Sequence, residues 1–289
     1  AWDAAISFAK PPPRNLFPRR PIIPAPHPAN TRTNPVDRFL ETYFETNGIV
    51  WLPPVQDRVF ARRACLDVIG LLPSPDLLDA FEADTRPDKR QRLVRQLLDD
   101  RQGYAAHWLT FWNDLLRNDY RGTGYIDGGR KQITGWLYQA LEQNLPYDQF
   151  AAQLLNPIPE SEGFVKGIVW RGAVNASQIP PMQAAQNIAQ VFMGVNLKCA
   201  SCHDSFINDW RLGDAYGLAA IYSDTPLEIF KCDQPTGKQA ELQFLFPELG
   251  QIDAQAPKAE RLKQFASLLT DRKDGRFSRT VINRLWAKF

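Results

Sequence analysis

The chain is poor in the side chains that bind metals and carry redox chemistry: four cysteines, two methionines and three histidines in 289 residues. A zinc ribbon needs two close cysteine pairs, and here Cys199 and Cys202 form the one close pair while Cys65 and Cys232 stand alone. No run of about 18 apolar residues occurs, which excludes a membrane-spanning helix. Net charge is only +2 and no long Lys/Arg run exists, which argues against nucleic-acid binding. The glycines of "RGTGYIDGGR" (121–130) fit neither the dinucleotide fingerprint nor the P-loop, so this stretch reads as a surface loop. Few segments alternate with period two, so sheet is minor, with Val165–Val169 the best short strand. No internal repeat is evident. The opening "AWDAAISFAK" has neither a charged n-region nor a long apolar h-region, so it is no signal peptide. Either the protein is cytosolic or the chain begins after processing.

What is present is proline at the start and helical periodicity after it. Residues 1–35 hold nine prolines and predict an extended arm that wraps over the body. A helix then starts at Asn34-Pro35, as N-cap and N1, with Phe39, Tyr43 and Phe44 on its apolar face and Gly48 at its end. A second helix ends near Gly70. A third is capped by Ser74 with Pro75 at N1, and a fourth, "RPDKRQRLVRQLLDDR", turns Leu93, Leu97 and Leu98 inward. Further helices read from "GYAAHWLTFWNDLLRND", "RKQITGWLYQALEQN", "PPMQAAQNIAQVFMG" and "RLGDAYGLAAIYS". The closing "FSRTVINRLWAKF" sets Val281, Leu285 and Trp286 on one side and stops without a cap residue, as expected for a piece of a longer protein. The fold class is therefore mainly α, a multi-helix domain behind an extended Pro-rich arm. Eight Trp and 17 Phe suit either a packed helical core or a large flat apolar ligand. Asn175-Ala-Ser177 matches the glycosylation sequon, a triplet that arises easily by chance.

The chemistry concentrates in "KCASCHD", residues 198–204. A thioredoxin-type dithiol should open a helix after a hydrophobic strand, whereas a helical segment precedes this pair. Zinc with His203 as third ligand would need adjacent Cys202 and His203 on one tetrahedral ion. C-x-x-C-H is the pattern of covalent haem attachment: two thiols meet the two vinyl groups and the next residue places an imidazole under the iron. The expected cofactor is one covalent haem c, bound through Cys199 and Cys202, with His203 as axial iron ligand. Dithiol, zinc and coincidence stay open beside it. Haem c implies a periplasmic or secreted protein, where Cys65 and Cys232 could pair as a disulfide, the alternative being a buried free Cys65.

The sixth ligand decides what such a haem does. His107 shares a face with Phe111 and Leu115 and is the first candidate. Met193 is the weaker one, on a helical stripe with Met182 that also reads as core filling. His27 lies in the proline arm. Lys198 and Arg211 are candidate partners for haem propionates, or solvated surface charges. Phe206, Trp210, Tyr216 and Tyr222 surround the motif in sequence. With six-coordinate iron the expected function is electron transfer to or from a redox partner protein. An open distal site would instead make a haem oxidoreductase or peroxidase acting on a small molecule, with His107 or Asp204 as acid–base groups. The thin histidine supply favours the former.

The segments "NPVDRFL", "RVFARRACLDVIGLLPSPDLLDAF", "RLVRQLLDDRQGYAAHWLTFWNDLLRND", "WLYQALEQNLPYDQFAAQLL", "VFMGVNLKCASCHD" and "VINRLWAKF" together resemble the planctomycete secreted cytochrome family, haem c proteins built of paired domains of unknown function. The resemblance implies an arm over 1–34, a helical haem c domain over 35–275, and the start of a second domain over 276–289 whose remainder is a candidate partner. It carries over Cys199, Cys202 and His203 as haem residues and draws attention to His107 of the "HW" pair. Where the family commonly has a second histidine, this chain has Ser205. It implies no substrate, and it leaves an oligomer possible.

Overall fold

The computed structural model describes residues 16–26, 33–118, 131–169, 172 and 174–289. The loop at 121–130 and His27 lie outside the described residues. Twelve α-helices, two short 3-10 turns and one two-stranded sheet make up the described structure, as a mainly α sequence requires. The described residues divide into two compact units, one drawn from 19–66 and 71–95, the other from 16–18, 67–70 and 96–289.

The smaller unit carries α1 (Pro35–Thr46), most of α2 (Asp57–Ile69), α3 (Pro75–Ala83) and the first part of α4 (Lys89–Asp99). The caps read from sequence are there. The Asn34 side chain accepts from Val36 N–H at 2.9 Å, and Ser74 Oγ from Leu77 N–H at 3.2 Å. Each satisfies an orphan donor of a helix start just before a proline that needs none. Its core is small: Ala61, Cys65, Phe81 and Leu93 are buried. Asp57 pairs with Lys89 and Arg90, whose guanidinium also lies 4.8 Å from the Phe60 ring centroid. Two expectations fail. Phe39 and Tyr43 are exposed, and so is Leu98 at the end of α4. Leu93 and Leu97, four residues apart, form the inward stripe, and Leu98 sits about 100° round from Leu97.

The larger unit holds the extensive core. The helices α5 (Arg101–Leu115), α6 (Thr134–Glu142) and α7 (Tyr147–Leu155) interlock through aromatic side chains. The Phe150 ring lies 4.9 Å from that of Trp112 and 5.0 Å from that of Trp136. Much of the aromatic supply thus goes to packing. A short α8 (Gly163–Lys166) follows, where a strand over Val165–Val169 was expected. Among the described residues the sheet is elsewhere, an antiparallel hairpin of β1 (Glu228–Lys231) and β2 (Gln234–Gln239).

Helix α9 (Pro180–Met193) is buried nearly all round. Its alanines 184, 185 and 189 present little bulk, which lets α10 (Leu212–Ala220) pack closely against it. Gly194 ends α9 in the left-handed conformation (φ 63), and Val195 N–H returns to the Ala189 carbonyl at 2.9 Å. After α11 (Lys258–Leu269), α12 (Gly275–Lys288) packs on α9. Phe277 is buried and stacks on Tyr147, centroids 4.7 Å apart. Residues 276–289 thus belong to the same compact unit as the cysteine motif. The arm meets this unit at Leu16, which is buried and accepts from Gly275 N–H at 2.7 Å. Among the described residues no helix is long and apolar enough to cross a membrane.

Candidate functional site

Buried Val195, Leu197 and Ala200 pin the chain between α9 and α10 to the core and leave Lys198 and Cys199 outward. Ser201 N–H donates to the Leu197 carbonyl at 2.8 Å, and the Cys199 carbonyl accepts from both Cys202 and His203 N–H at 3.0 Å. This is one helical turn, so the thiols of Cys199 and Cys202, three residues apart, share a face. Both are half-buried. Nδ1 of His203 lies 2.7 Å from the Asp204 carbonyl oxygen. A carbonyl only accepts, so Nδ1 donates here, and in the neutral ring Nε2 is the nitrogen a metal would use. The ring packs 4.5 Å from that of Phe206. Phe206 and Ile207 are 71% and 76% exposed, an apolar rim beside the motif.

Three elements hold this turn. From α9, Gln186 Nε2 donates to Ser201 Oγ at 2.8 Å and to the Ser177 carbonyl at 3.0 Å, while the Ser201 hydroxyl donates to the Lys198 carbonyl at 2.8 Å. From α10, Leu212 N–H donates to the Asp204 carboxylate at 2.9 Å, so that carboxylate anchors the helix start. The third element is the hairpin tip. Cys232 N–H donates to the Cys202 carbonyl at 2.9 Å, which sets the two cysteines side by side. Burial, and then the Cys232 thiol, push the Cys202 thiol above its usual range. The Asp233 carboxylate accepts from Ala176 N–H at 2.9 Å and from the Asn175 amide. The amide of the sequon is therefore engaged at a turn it caps itself, through Ser177 N–H. Tyr216 is fully buried, and its hydroxyl oxygen accepts from Phe230 N–H at 3.1 Å.

A cavity of about 270 Å³ opens beside the hairpin, lined among others by Ile179, Tyr216, Phe230 and Asp233. Another of about 630 Å³ is lined by Lys166, Tyr222, Lys258 and their neighbours. Cys199, Cys202 and His203 line neither.

The other expected residues have their own surroundings. His107 is half-buried on α5, near the backbone of Asp67, with its ring against Gly70. Burial, then the Lys288 charge, lower its basicity, and the Asp67 charge and backbone oppose them. Met182 and Met193 are fully buried in the core, as core-filling methionines. Lys198 and Arg211 are exposed on either flank of the motif. Cys65 and Cys232 are both free thiols: Cys65 is buried in α2, and the neighbour of Cys232 is Cys202. Sequence reasoning missed Gln186 and the Cys202–Cys232 contact. The signal available for the second was a two-residue Cys-Asp link between "EIFK" and "QPTGKQ".

The fold and the motif define a class: a mostly helical protein with one preformed C-x-x-C-H turn at its surface. Within that class the chain belongs to the PSCyt2 family, described as proteins of unknown function (DUF1549), which it matches over residues 35–226. The match contains the turn and ends before the hairpin that carries Cys232. No match was found among curated proteins or among solved structures.

Proposed function

We propose that this chain is the haem-bearing part of an extracytoplasmic monohaem c-type cytochrome that exchanges electrons with a partner redox protein. The observation that carries the reading is the turn itself. Two half-buried thiols share one face, and His203 is held by the Asp204 carbonyl with Nε2 left over. That donor set fits haem c: Cys199 and Cys202 would form the thioethers and His203 would be the axial ligand. Haem, when bound, supplies one-electron chemistry at iron. The protein supplies a fixed imidazole, a turn braced by Gln186, and the exposed apolar Phe206 and Ile207, which suit brief docking of a partner. Lys198 and Arg211, exposed on either flank of the motif, would be the candidate partners of the propionates.

A second reading, a haem oxidoreductase with an open distal side, draws on where the candidate sixth ligands lie. His107 is occupied with Asp67 and Gly70, and Met182 and Met193 with the core.

Optical spectra of the loaded protein separate the two readings. A low-spin spectrum insensitive to carbon monoxide supports electron transfer with six-coordinate iron, and rapid carbon monoxide binding at native pH refutes it. His107→Ala, converting that spectrum to high spin, would establish His107 as ligand, and an unchanged spectrum would exclude it. Haem lost to acid–acetone after denaturation would refute covalent attachment.

A further inference from the structure

The haem reading uses two of the four thiols and gives no reason for a third beside them. Cys232 and Asp233 are the two central residues of the β1–β2 turn, with φ 49 and 63. Two consecutive positive φ values make the hairpin turn that Asn-Gly fills best. A cysteine there holds a left-handed backbone that side chains with a Cβ adopt at a cost. The turn is clamped on both sides, by Cys232 N–H on the Cys202 carbonyl at 2.9 Å and by Asp233 on Asn175 and Ala176. That backbone bond keeps the two cysteines adjacent, the first condition for a disulfide. The unusual backbone thus delivers a thiol to Cys202.

We propose that Cys202 and Cys232 form a reversible disulfide in the haem-free chain, and that this bond must open before Cys202 can take haem. The second clause rests on the haem reading; the first stands without it. The oxidant is a small-molecule or protein disulfide. Cys232, the exposed thiol, attacks it first as thiolate, forming a mixed disulfide and releasing one thiol. Cys202 then attacks the Cys232 sulfur and releases the second. The two cysteines lose two protons and two electrons, and the oxidant becomes two thiols. A dithiol reductant reverses the sequence.

The test uses the reduced, haem-free chain, treated with glutathione disulfide, alkylated, digested without reductant and mapped by mass spectrometry. The expected product joins the Cys202 and Cys232 peptides with loss of two hydrogens. It should persist in Cys199→Ser and vanish in Cys232→Ser, each checked for native circular dichroism; the wild-type map needs no variant. A dominant Cys199–Cys202 link, or glutathione on Cys232 with no internal link, overturns the proposal. In a second arm, oxidised and reduced chains are incubated with ferrous haem and the haem retained after denaturation is measured. At least tenfold less attachment to the oxidised wild type is expected, with no such gap in Cys232→Ser. Equal attachment to oxidised and reduced wild type overturns the gating and leaves the haem reading intact. No attachment to any reduced chain overturns the haem reading and the gating with it, and the first arm still decides the disulfide.

Discussion

Gln186→Leu should loosen the cysteine turn without opening a hole in α9. Gln186 is 8% exposed, and its amide nitrogen bridges the Ser177 carbonyl and Ser201 Oγ. Leucine has similar volume and no donor. Ser201 keeps its bond to the Lys198 carbonyl, but the Ser177 carbonyl loses its Gln186 donor. Two hydrogen bonds at about 1 kcal/mol each, plus the penalty of a desolvated carbonyl, come to about 3–4 kcal/mol. The extra apolar surface of leucine returns about 1 kcal/mol. The net loss is about 2–3 kcal/mol, or roughly 5–10 °C in Tm at the scaling for domains of this size. Urea unfolding followed by tryptophan fluorescence measures it, helped by Trp210, buried close to the turn. Alkylation of Cys199 and Cys202 should also quicken in the variant. A change below about 0.5 kcal/mol, the range of an inert surface substitution, would refute the claim that Gln186 braces the turn.

Other expectations are as direct. Gly70→Ala puts a Cβ 2.3 Å from His107 Nδ1 at a residue with φ 71, and should cost about 2 kcal/mol or more in urea unfolding; a neutral result would deny that His107 rests on this turn. Phe277→Ala removes a buried ring stacked on Tyr147 and should cost about 3 kcal/mol. A cost under 1 kcal/mol would make α12 an appendage and not part of this core. His107, lowered chiefly by burial, binds its proton less readily folded than unfolded. Its stabilisation is therefore full above the unfolded value of about 6.5 and is lost as pH falls through the lowered folded value. Urea midpoints at pH 5 and pH 7.5 should differ less in His107→Gln than in wild type; an equal difference would exclude His107 as the source.

The parts of the fold legible in sequence are those set by local chemistry. Asn34-Pro35 and Ser74-Pro75 start helices because a side-chain acceptor and a missing donor solve the same end problem within three residues. Gly70 and Gly194 end helices because each takes a positive φ. Periodicity says which residues share a face but not how much of that face finds a partner. Phe39 and Tyr43 show the gap: the stripe exists, and both side chains stay exposed. The hairpin was illegible because its turn is Cys-Asp, which propensity does not favour, while Val165 falls inside a short helix that ends at Lys166, before Ile168 and Val169.

The candidate site divides along the same line. The C-x-x-C-H turn is a five-residue object, so sequence alone can name its donors. What braces it lies fifteen residues before Ser201, at Gln186, and thirty residues after Cys202, at Cys232. Pairing of distant cysteines cannot be read by elimination. Cys65 and Cys232 look like partners only because each is left over, and Cys65 is enclosed in α2 with its thiol raised by burial. The strained turn makes the stronger argument. A hairpin that needed only to reverse direction would do so more easily with Asn-Gly than with Cys-Asp. Keeping a cysteine at φ 49, tied by its own N–H to Cys202, trades local ease for a thiol at one place. Cys232→Asn should therefore leave the hairpin at least as stable as in wild type while removing the link to Cys202. A loss of stability beyond about 1 kcal/mol in the reduced protein would mean that Cys232 is there for packing instead.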